Sequence, residues 1–358
     1  MIKIGTLQAN EYKQASLLLN LQTEMVNENH DVNDGDLLLN GLAFWQHWLP
    51  CQLHLTQSLY VAREDGQIIG IIAMQHTSKS KTCWQVSKLV VHPDHRGRGI
   101  AQELLRYVFA QFGSQGVMHF LAQVPAMNDA ALTLFANCGF CRTSRITYYK
   151  FDLNRAEEFM AGNQDGFKLA LPHVKQALYQ LNSEVLPPAL RQVLLLAPDD
   201  FIIKDMIPFT SVEKTKQKLM RKRVWYWVFE DSERMILSSA VRVTAEPNSG
   251  YKLELSVHPG WKHQEEDLLR FALAKLLTEA PRAPIWAKIY DFQGDMHELM
   301  LSCGFERTGE AFLLLREHWQ RQRKTKRASM PALGKPVINF PLAADRTRLS
   351  SRSMEHDT

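Results

Sequence analysis

Three short blocks of this sequence recur, in the same order, about 165 residues further along the chain. The matching blocks are Val91-His92-Pro93 with Val257-His258-Pro259, Leu104-Leu105-Arg106 with Leu268-Leu269-Arg270, and Cys138-Gly139-Phe140 with Cys303-Gly304-Phe305. The spacing changes by only one or two residues between blocks, as small insertions and deletions in loops would produce. An ordered repeat of this length predicts a tandem duplication of one structural unit.

The length of 358 residues and the 45% hydrophobic content suffice for two cores. We predict a first half at residues 1–155, a linker at 156–166, a second half at 167–319 and a disordered tail at 320–358. The tail holds nine Lys or Arg and only three acidic residues, so it accounts for the net charge of +4. The overall charge therefore does not indicate what the folded part binds.

Hydrophobic periodicity in the first half predicts a strand, two helices, a three-stranded meander, and then helix, strand, helix and strand. The clearest helix face is Ala101, Leu104, Leu105, Val108, Phe109 and Phe112. Because the second half repeats the later part of this order, we predict an α/β fold. In it, two tandem units each have a mixed, mostly antiparallel sheet flanked by helices.

The apolar runs are too short for a membrane helix, and the N-terminus lacks an apolar signal core. Five scattered cysteines do not form a disulfide framework in a chain of this size. We therefore predict a cytoplasmic protein that does not enter a membrane. Cys138 and Cys141 form a CxxC pair, but no second CxxC completes a zinc site and the repeat has Glu306 at the second position. No metal site is predicted.

The segment Arg96-Gly97-Arg98-Gly99-Ile100-Ala101 lies between a predicted strand and a predicted helix. Its glycines allow a tight turn in which successive N–H groups converge, and the helix N-terminus adds unsatisfied donors. This arrangement is typical of a phosphate or pyrophosphate site, although a simple tight connection has the same pattern. The spacing fits neither a P-loop nor a dinucleotide fingerprint.

The stretch "LVVHPDHRGRGIAQELL" resembles the acyl-CoA pyrophosphate loop of the GCN5-related N-acetyltransferases (GNAT), whose signature is Q/R-x-x-G-x-G/A. The following "NDAALTLFANCGF" is similar to that family's next segment. The positions that carry the resemblance are Arg96, Gly99, Ala101, Asn128, Ala131, Phe135, Gly139 and Phe140. The resemblance covers roughly residues 1–153.

The resemblance implies that acetyl-CoA is a co-substrate and that its pantetheine arm pairs with backbone where two strands splay apart. The implied cofactor-binding residues are Leu89, Val90, Val91, Arg96, Gly97, Arg98, Gly99, Ile100, Ala101, Asn128 and Phe135. Core burial explains Leu89–Val91 equally well, and helix capping explains Asn128.

Phe135 stands where the family usually has a tyrosine, and residues 81–91 lack the carboxylate that the family often places there. The catalytic residues are therefore not assigned. His76, Gln85 and Ser87 are candidates that would act through water, and each also fits an ordinary strand residue. Positioning of the reactants and a backbone N–H on the thioester carbonyl need no titratable group.

The second half has "GWKHQEED" in place of the glycine loop, and Gln293, Met296 and Met300 in place of Asn128, Ala131 and Phe135. We predict a structural or acceptor-shaping role for it. The apolar side chains of "FWQHWL" at 44–49 predict a buried helix face or, alternatively, a substrate wall.

These features predict an acyl-CoA-dependent N-acyltransferase that acts on a primary amine. Tandem members of the family include mycothiol synthase-like enzymes, so a small molecule is the first expectation and a protein N-terminus or lysine the second. A non-catalytic acyl-CoA sensor is the alternative. The tail has no aromatic residue except Phe340, so nucleic-acid binding is not predicted. The acyl chain length and oligomeric state stay open.

Overall fold

The computed structural model describes residues 2–25, 57–76, 82–160, 166–194, 197–198, 201, 223–231, 236–246 and 249–318. These residues belong to one compact unit. The predicted helix that contains residues 44–49 and the predicted tail lie outside them. No helix in the described ranges is both long and apolar enough to cross a bilayer.

The first half follows the predicted order of strands and helices. Its elements are β1 (Lys3–Thr6), α1 (Tyr12–Met25), β2 (Gln57–Glu64), β3 (Gln67–His76), β4 (Cys83–Val91), α2 (Ile100–Gly113), β5 (His119–Pro125), α3 (Asp129–Asn137) and β6 (Cys141–Phe151). Asp65 and Gly66 join β2 to β3 with φ values of 50° and 81°, as a two-residue hairpin turn requires.

The second half repeats the same architecture. Its elements, with a short preceding helix α4 (Glu157–Met160), are β7 (Lys168–Leu169), α5 (Lys175–Val185), α6 (Pro188–Leu194), β8 (Arg223–Asp231), β9 (Ile236–Glu246), β10 (Gly250–Val257), α7 (Glu265–Glu279), β11 (Ile285–Tyr290), α8 (Gly294–Ser302) and β12 (Phe305–Glu317). Helix α4 lies within the predicted linker, and its Phe159 packs against Phe151 in the second half's core. The domain boundaries themselves stay predictions.

Helix α2 shows how the sequence pattern becomes a core. The predicted face is buried from Leu104 to Phe112, while Ala101 at its start is half-buried. Each fully buried Leu or Phe of this face contributes about 2 kcal/mol. The helix lies so close to β3 that a Cβ on Gly70 would be 3.1 Å from side-chain atoms of Ile100 and Leu104. Glycine at position 70 therefore lets the start of α2 sit directly on the sheet.

The strands of the described residues form one continuous sheet in the order β1-β2-β3-β4-β5-β12-β6-β11-β10-β9-β8-β7. The last strand of each half lies in the other half. Strand β12 pairs with β5 on one edge and β6 on the other, while β6 also pairs with β11. We call β6 and β12 the exchanged strands. The sequence did not indicate that the two predicted sheets join in this way.

The exchange follows the sequence repeat in its register. Leu313 of β12 lies opposite Gln123 of β5, and Tyr148 of β6 lies opposite Lys288 of β11. Both members of one pair are 165 residues from their counterparts in the other, so the two halves are related by an approximate two-fold axis between the exchanged strands. Each half completes the other half's sheet in the same way.

Helix α6 of the second half packs across the seam. Leu190 and Val193 lie in one buried cluster with Cys83 of β4, Leu121 of β5 and Leu313 of β12. The second half therefore contributes both a strand and a helix to the surroundings of β4 and β5. These two strands are the ones that the resemblance assigns to the cofactor.

Candidate functional site

Strands β4 and β5 are paired for only part of their length. Parallel pairing joins Cys83–Val86 to His119–Ala122 and then stops, although β4 continues to Val91. On its other edge β4 stays paired with β3 as far as Val91, with a bulge near Ser87. The β5-facing edge of Leu89–Val91 is therefore not paired with a strand. This is the predicted splay, with backbone hydrogen-bonding groups left on its edge.

The glycine loop lies directly beyond this open edge. Gly97 and Gly99 have φ values of 75° and 79°, and Gly99 forms the N-cap of α2 without a side-chain cap. The first backbone bond of the helix runs from Glu103 N–H to Gly99 O at 3.1 Å. In the described part of the chain, the N–H groups of residues 97–101 have no recorded partner. The loop thus presents the free donors that an anion requires.

The two arginine side chains of the loop bind protein groups. Arg98 makes a two-pronged contact with Glu64 at 2.7 and 2.8 Å, and its Nη1 also lies 2.7 Å from His95 Nδ1. Arg96 Nε donates to Val91 O at 3.4 Å. The hydrogen bond from Arg98 holds the pKa of Glu64 below its usual value. The sequence reasoning missed Glu64, because no local pattern connects residues 34 positions apart.

Asn128 and Phe135 have well-defined structural roles. Asn128 Oδ1 accepts a 3.0 Å hydrogen bond from Ala131 N–H and so caps α3. Phe135 is 5% exposed and meets Phe140 edge to face, with ring centroids 5.0 Å apart. Their contacts with a cofactor stay predictions. The Phe135 ring provides no proton donor.

The candidate groups on β3 and β4 are also engaged. Ser87 Oγ donates to Ala73 O at 3.1 Å across the bulge, and His76 meets Trp84 edge to face. Neither β4 nor β5 contains an acidic residue, and Gln85 and Gln123 are the uncharged polar groups near the splay. Burial raises the pKa of the nearby Cys138 thiol, which disfavours a reactive thiolate.

The equivalent splay in the second half is closed by a side chain. Strand β10 pairs with β11 only at Tyr251–Leu253, yet it continues to Val257. Gln293 bridges the gap: its Nε2 donates to Leu255 O at 3.2 Å, and its Oε1 accepts from Tyr290 N–H at 3.0 Å. Asn128, its counterpart, caps a helix instead. One extra methylene thus redirects the amide from the helix end to the strand edges.

A charged bridge joins the same two strands. Glu254 of β10 lies 3.3 Å from Lys288 of β11 and 2.9 Å from Arg242 of β9. Burial opposes ionisation of Glu254, but the two cations overcome this and lower its pKa. In addition, the first turn of α7 carries Glu265, Glu266 and Asp267, which disfavour an anion at that helix N-terminus. The second half therefore lacks both parts of the first half's site.

Comparison with known proteins places the first half in one family. The family model described as "Acetyltransferase (GNAT) family" matches residues 23–140. The mouse protein named N-acetyltransferase 8F1 is 30% identical over 123 residues, which are 34% of this chain and 47% of that protein. The Arabidopsis thaliana protein named N-alpha-acetyltransferase MAK3 is 27% identical over 130 residues, 36% of this chain and 63% of its own. The chain spans about half the length of the first of these curated relatives.

Two solved structures match the whole fold. A GCN5-related N-acetyltransferase from Sphaerobacter thermophilus has a TM-score of 0.58 at 14% identity, covering 88% of this chain and 95% of its own. A tandem GNAT protein from the clavulanic acid biosynthesis pathway has a TM-score of 0.57 at 15% identity, covering 90% and 100%. At these identities the likeness concerns the fold.

The splayed strands, the glycine loop and these neighbours together define a protein with the tandem acetyltransferase fold. The chain belongs to the GCN5-related N-acetyltransferase superfamily. The predicted family and fold class are thereby confirmed.

Proposed function

We propose that the protein is an acetyl-CoA-dependent N-acetyltransferase whose single site lies in the first half. The observation that carries this proposal is the unpaired edge of Leu89–Val91 next to the unpaired amides of residues 97–101. An amide-containing pantetheine arm suits the first feature and a pyrophosphate suits the second. The names of the relatives support the acetyltransfer class.

Catalysis in this proposal is positional. Because β4 and β5 contain no acidic residue and Phe135 has no hydroxyl, these elements offer no acid or base for the transfer. The splay holds the thioester beside the acceptor amine, and that proximity supplies the rate enhancement. The acceptor nitrogen attacks as a neutral amine and later releases its proton to water.

This mechanism predicts that the pH dependence belongs to the acceptor. For two amines whose pKa values differ by about two units, the rising limb of turnover should shift by about the same amount, because only the neutral amine attacks. Release of CoA at saturating acetyl-CoA measures it. A rising limb at one pH for both amines would instead reveal a base on the enzyme.

We propose a small-molecule amine as the acceptor, with a protein N-terminus or a lysine as the second candidate. The tandem neighbour from an antibiotic-related pathway supports the first choice, and the relative named N-alpha-acetyltransferase supports the second. A screen of CoA release with small amines, aminoglycosides and N-terminal peptides separates them. We also propose the cytoplasm as the compartment, in keeping with free thiols at Cys83, Cys138, Cys141 and Cys303.

The second half should not bind acetyl-CoA. Gln293 already makes hydrogen bonds to both splayed strands, and the acidic first turn of α7 repels phosphate. Titration calorimetry on the full chain is expected to give one acetyl-CoA per molecule. A stoichiometry of two would contradict the assignment of the site to the first half alone.

A sensor that binds acyl-CoA without turnover is the second candidate, and the buried Phe135 ring favours it. Its signature is acetyl-CoA binding with no CoA release from any amine at any pH. In an enzyme that works without a side-chain acid, Phe135→Tyr should change turnover only modestly. In a sensor, the same change could create turnover that the parent lacks.

A further inference from the structure

A carboxylate from outside the glycine loop holds the loop's central arginine. Glu64 is the last residue of β2, and its two oxygens receive both terminal nitrogens of Arg98 at 2.7 and 2.8 Å. His95 accepts a further contact from Arg98 at 2.7 Å and lies 3.5 Å from Glu64. Two-pronged pairs of this kind fix direction as well as distance. Arg98 is thereby tied to the hairpin of β2 and β3.

This pair has a specific position in the chain. Arg98 stands between Gly97 and Gly99, the two residues with positive φ. Glycines leave the backbone many conformations, so a loop that contains two of them needs an external restraint to keep its N–H groups aligned. The Arg98 side chain is the loop's strongest link to the sheet among the described residues.

The pair also removes an electrostatic conflict. A carboxylate beside a pyrophosphate site repels the ligand unless a cation compensates it. With Arg98 bound to Glu64 the pair is neutral, and the loop's amides remain available. The second half has a different arrangement: Lys262 of its loop reaches Asp295 of α8 at 2.5 Å, and the glycines are absent.

We propose that Glu64 is a positioning residue for acyl-CoA: it holds Arg98, and through it keeps the amides of residues 97–101 directed at the cofactor's phosphates. The inference rests on the proposed function of the first half. It concerns cofactor affinity, and the acceptor and the acyl group are not affected.

The test compares Glu64→Gln with Glu64→Asp in the full-length chain. Glu64→Gln removes the charge and is expected to weaken acetyl-CoA binding about five- to tenfold, with turnover at saturating cofactor within about twofold of the parent. Glu64→Asp keeps the charge and should recover part of the affinity. The matched control is Glu158→Gln, which removes a carboxylate bound by Arg155 at 2.7 Å in another part of the chain. That variant should bind acetyl-CoA like the parent.

A measurement without ligand separates this inference from the proposed function. In the free protein, amide hydrogen exchange at residues 96–101 should be faster in Glu64→Gln than in the parent, and unchanged in Glu158→Gln. Parent-like exchange and affinity in Glu64→Gln would overturn the proposal. Tighter binding would overturn it too, because Glu64 would then compete with phosphate for Arg98. If the parent binds no acetyl-CoA, the proposed function fails, whereas the exchange result still reports whether Glu64 orders the loop.

Discussion

A chain that ends at residue 304 is expected to lose acetyl-CoA binding, although the glycine loop lies about 200 residues earlier. The truncation removes β12, which pairs with both β5 and β6. It also removes the buried side chains of Phe305, Leu313 and Leu314. At about 2 kcal/mol each, these three contribute about 6 kcal/mol, which is comparable with the whole stability of a typical domain.

Thermal unfolding and calorimetry on chains 1–304 and 1–320 measure this effect. The longer chain retains β12 and differs mainly by the presence of that strand, so it serves as the matched control. We expect a cooperative transition and parent-like affinity for chain 1–320, and neither for chain 1–304. Normal binding by chain 1–304 would show that β6 can close onto β5 by itself and that the exchange is dispensable.

Gly99→Val is expected to reduce acetyl-CoA affinity at least a hundredfold in a protein that still folds. At φ 79° a β-branched residue is strongly strained, so the loop must leave the conformation that aligns its N–H groups. A Cβ at this position meets no protein atom within 4 Å, so the space it enters is the space in front of the loop. The free protein therefore tolerates the added atoms better than the complex does.

Gly66→Val is the control for backbone strain. Gly66 has a φ of 81°, also with no atom within 4 Å of a built Cβ, but it lies in the hairpin turn between β2 and β3. Both variants should lose about 1–2 kcal/mol of stability from the left-handed backbone. Only Gly99→Val should lose acetyl-CoA in calorimetry. Equal affinity in the two variants would mean that the glycine loop is merely a tight connection.

The local parts of this fold could be predicted because their causes are local. The periodic face of α2 follows from residues three and four positions apart. The strand, loop and helix around Gly97 and Gly99 follow from glycine chemistry next to an apolar strand. The Asp65-Gly66 turn follows from two residues that tolerate positive φ. The splay was expected through the family resemblance, since neither β4 nor β5 carries a pattern that ends their pairing.

The exchanged strands could not be predicted in the same way. A strand's alternation records which face is buried and leaves its neighbours undetermined. Because β6 and β12 occupy equivalent places in a duplicated chain, each is compatible with either partner. Glu64 and Gln293 were missed for a related reason, since both act on groups far away in sequence. For Gln293 a weak signal existed: it takes the place of the helix-capping Asn128 in the repeat.

The exchanged strands make this single chain equivalent to a domain-swapped homodimer whose subunits have been fused. In such a pair, each copy depends on the other for a strand, so neither gene segment can be deleted after duplication. One copy is nevertheless free to lose its ligand chemistry, provided that it still delivers β12. Selection on the second half therefore acts on its core and its final strand. Harmful substitutions there should be recognised through the activity of the first half.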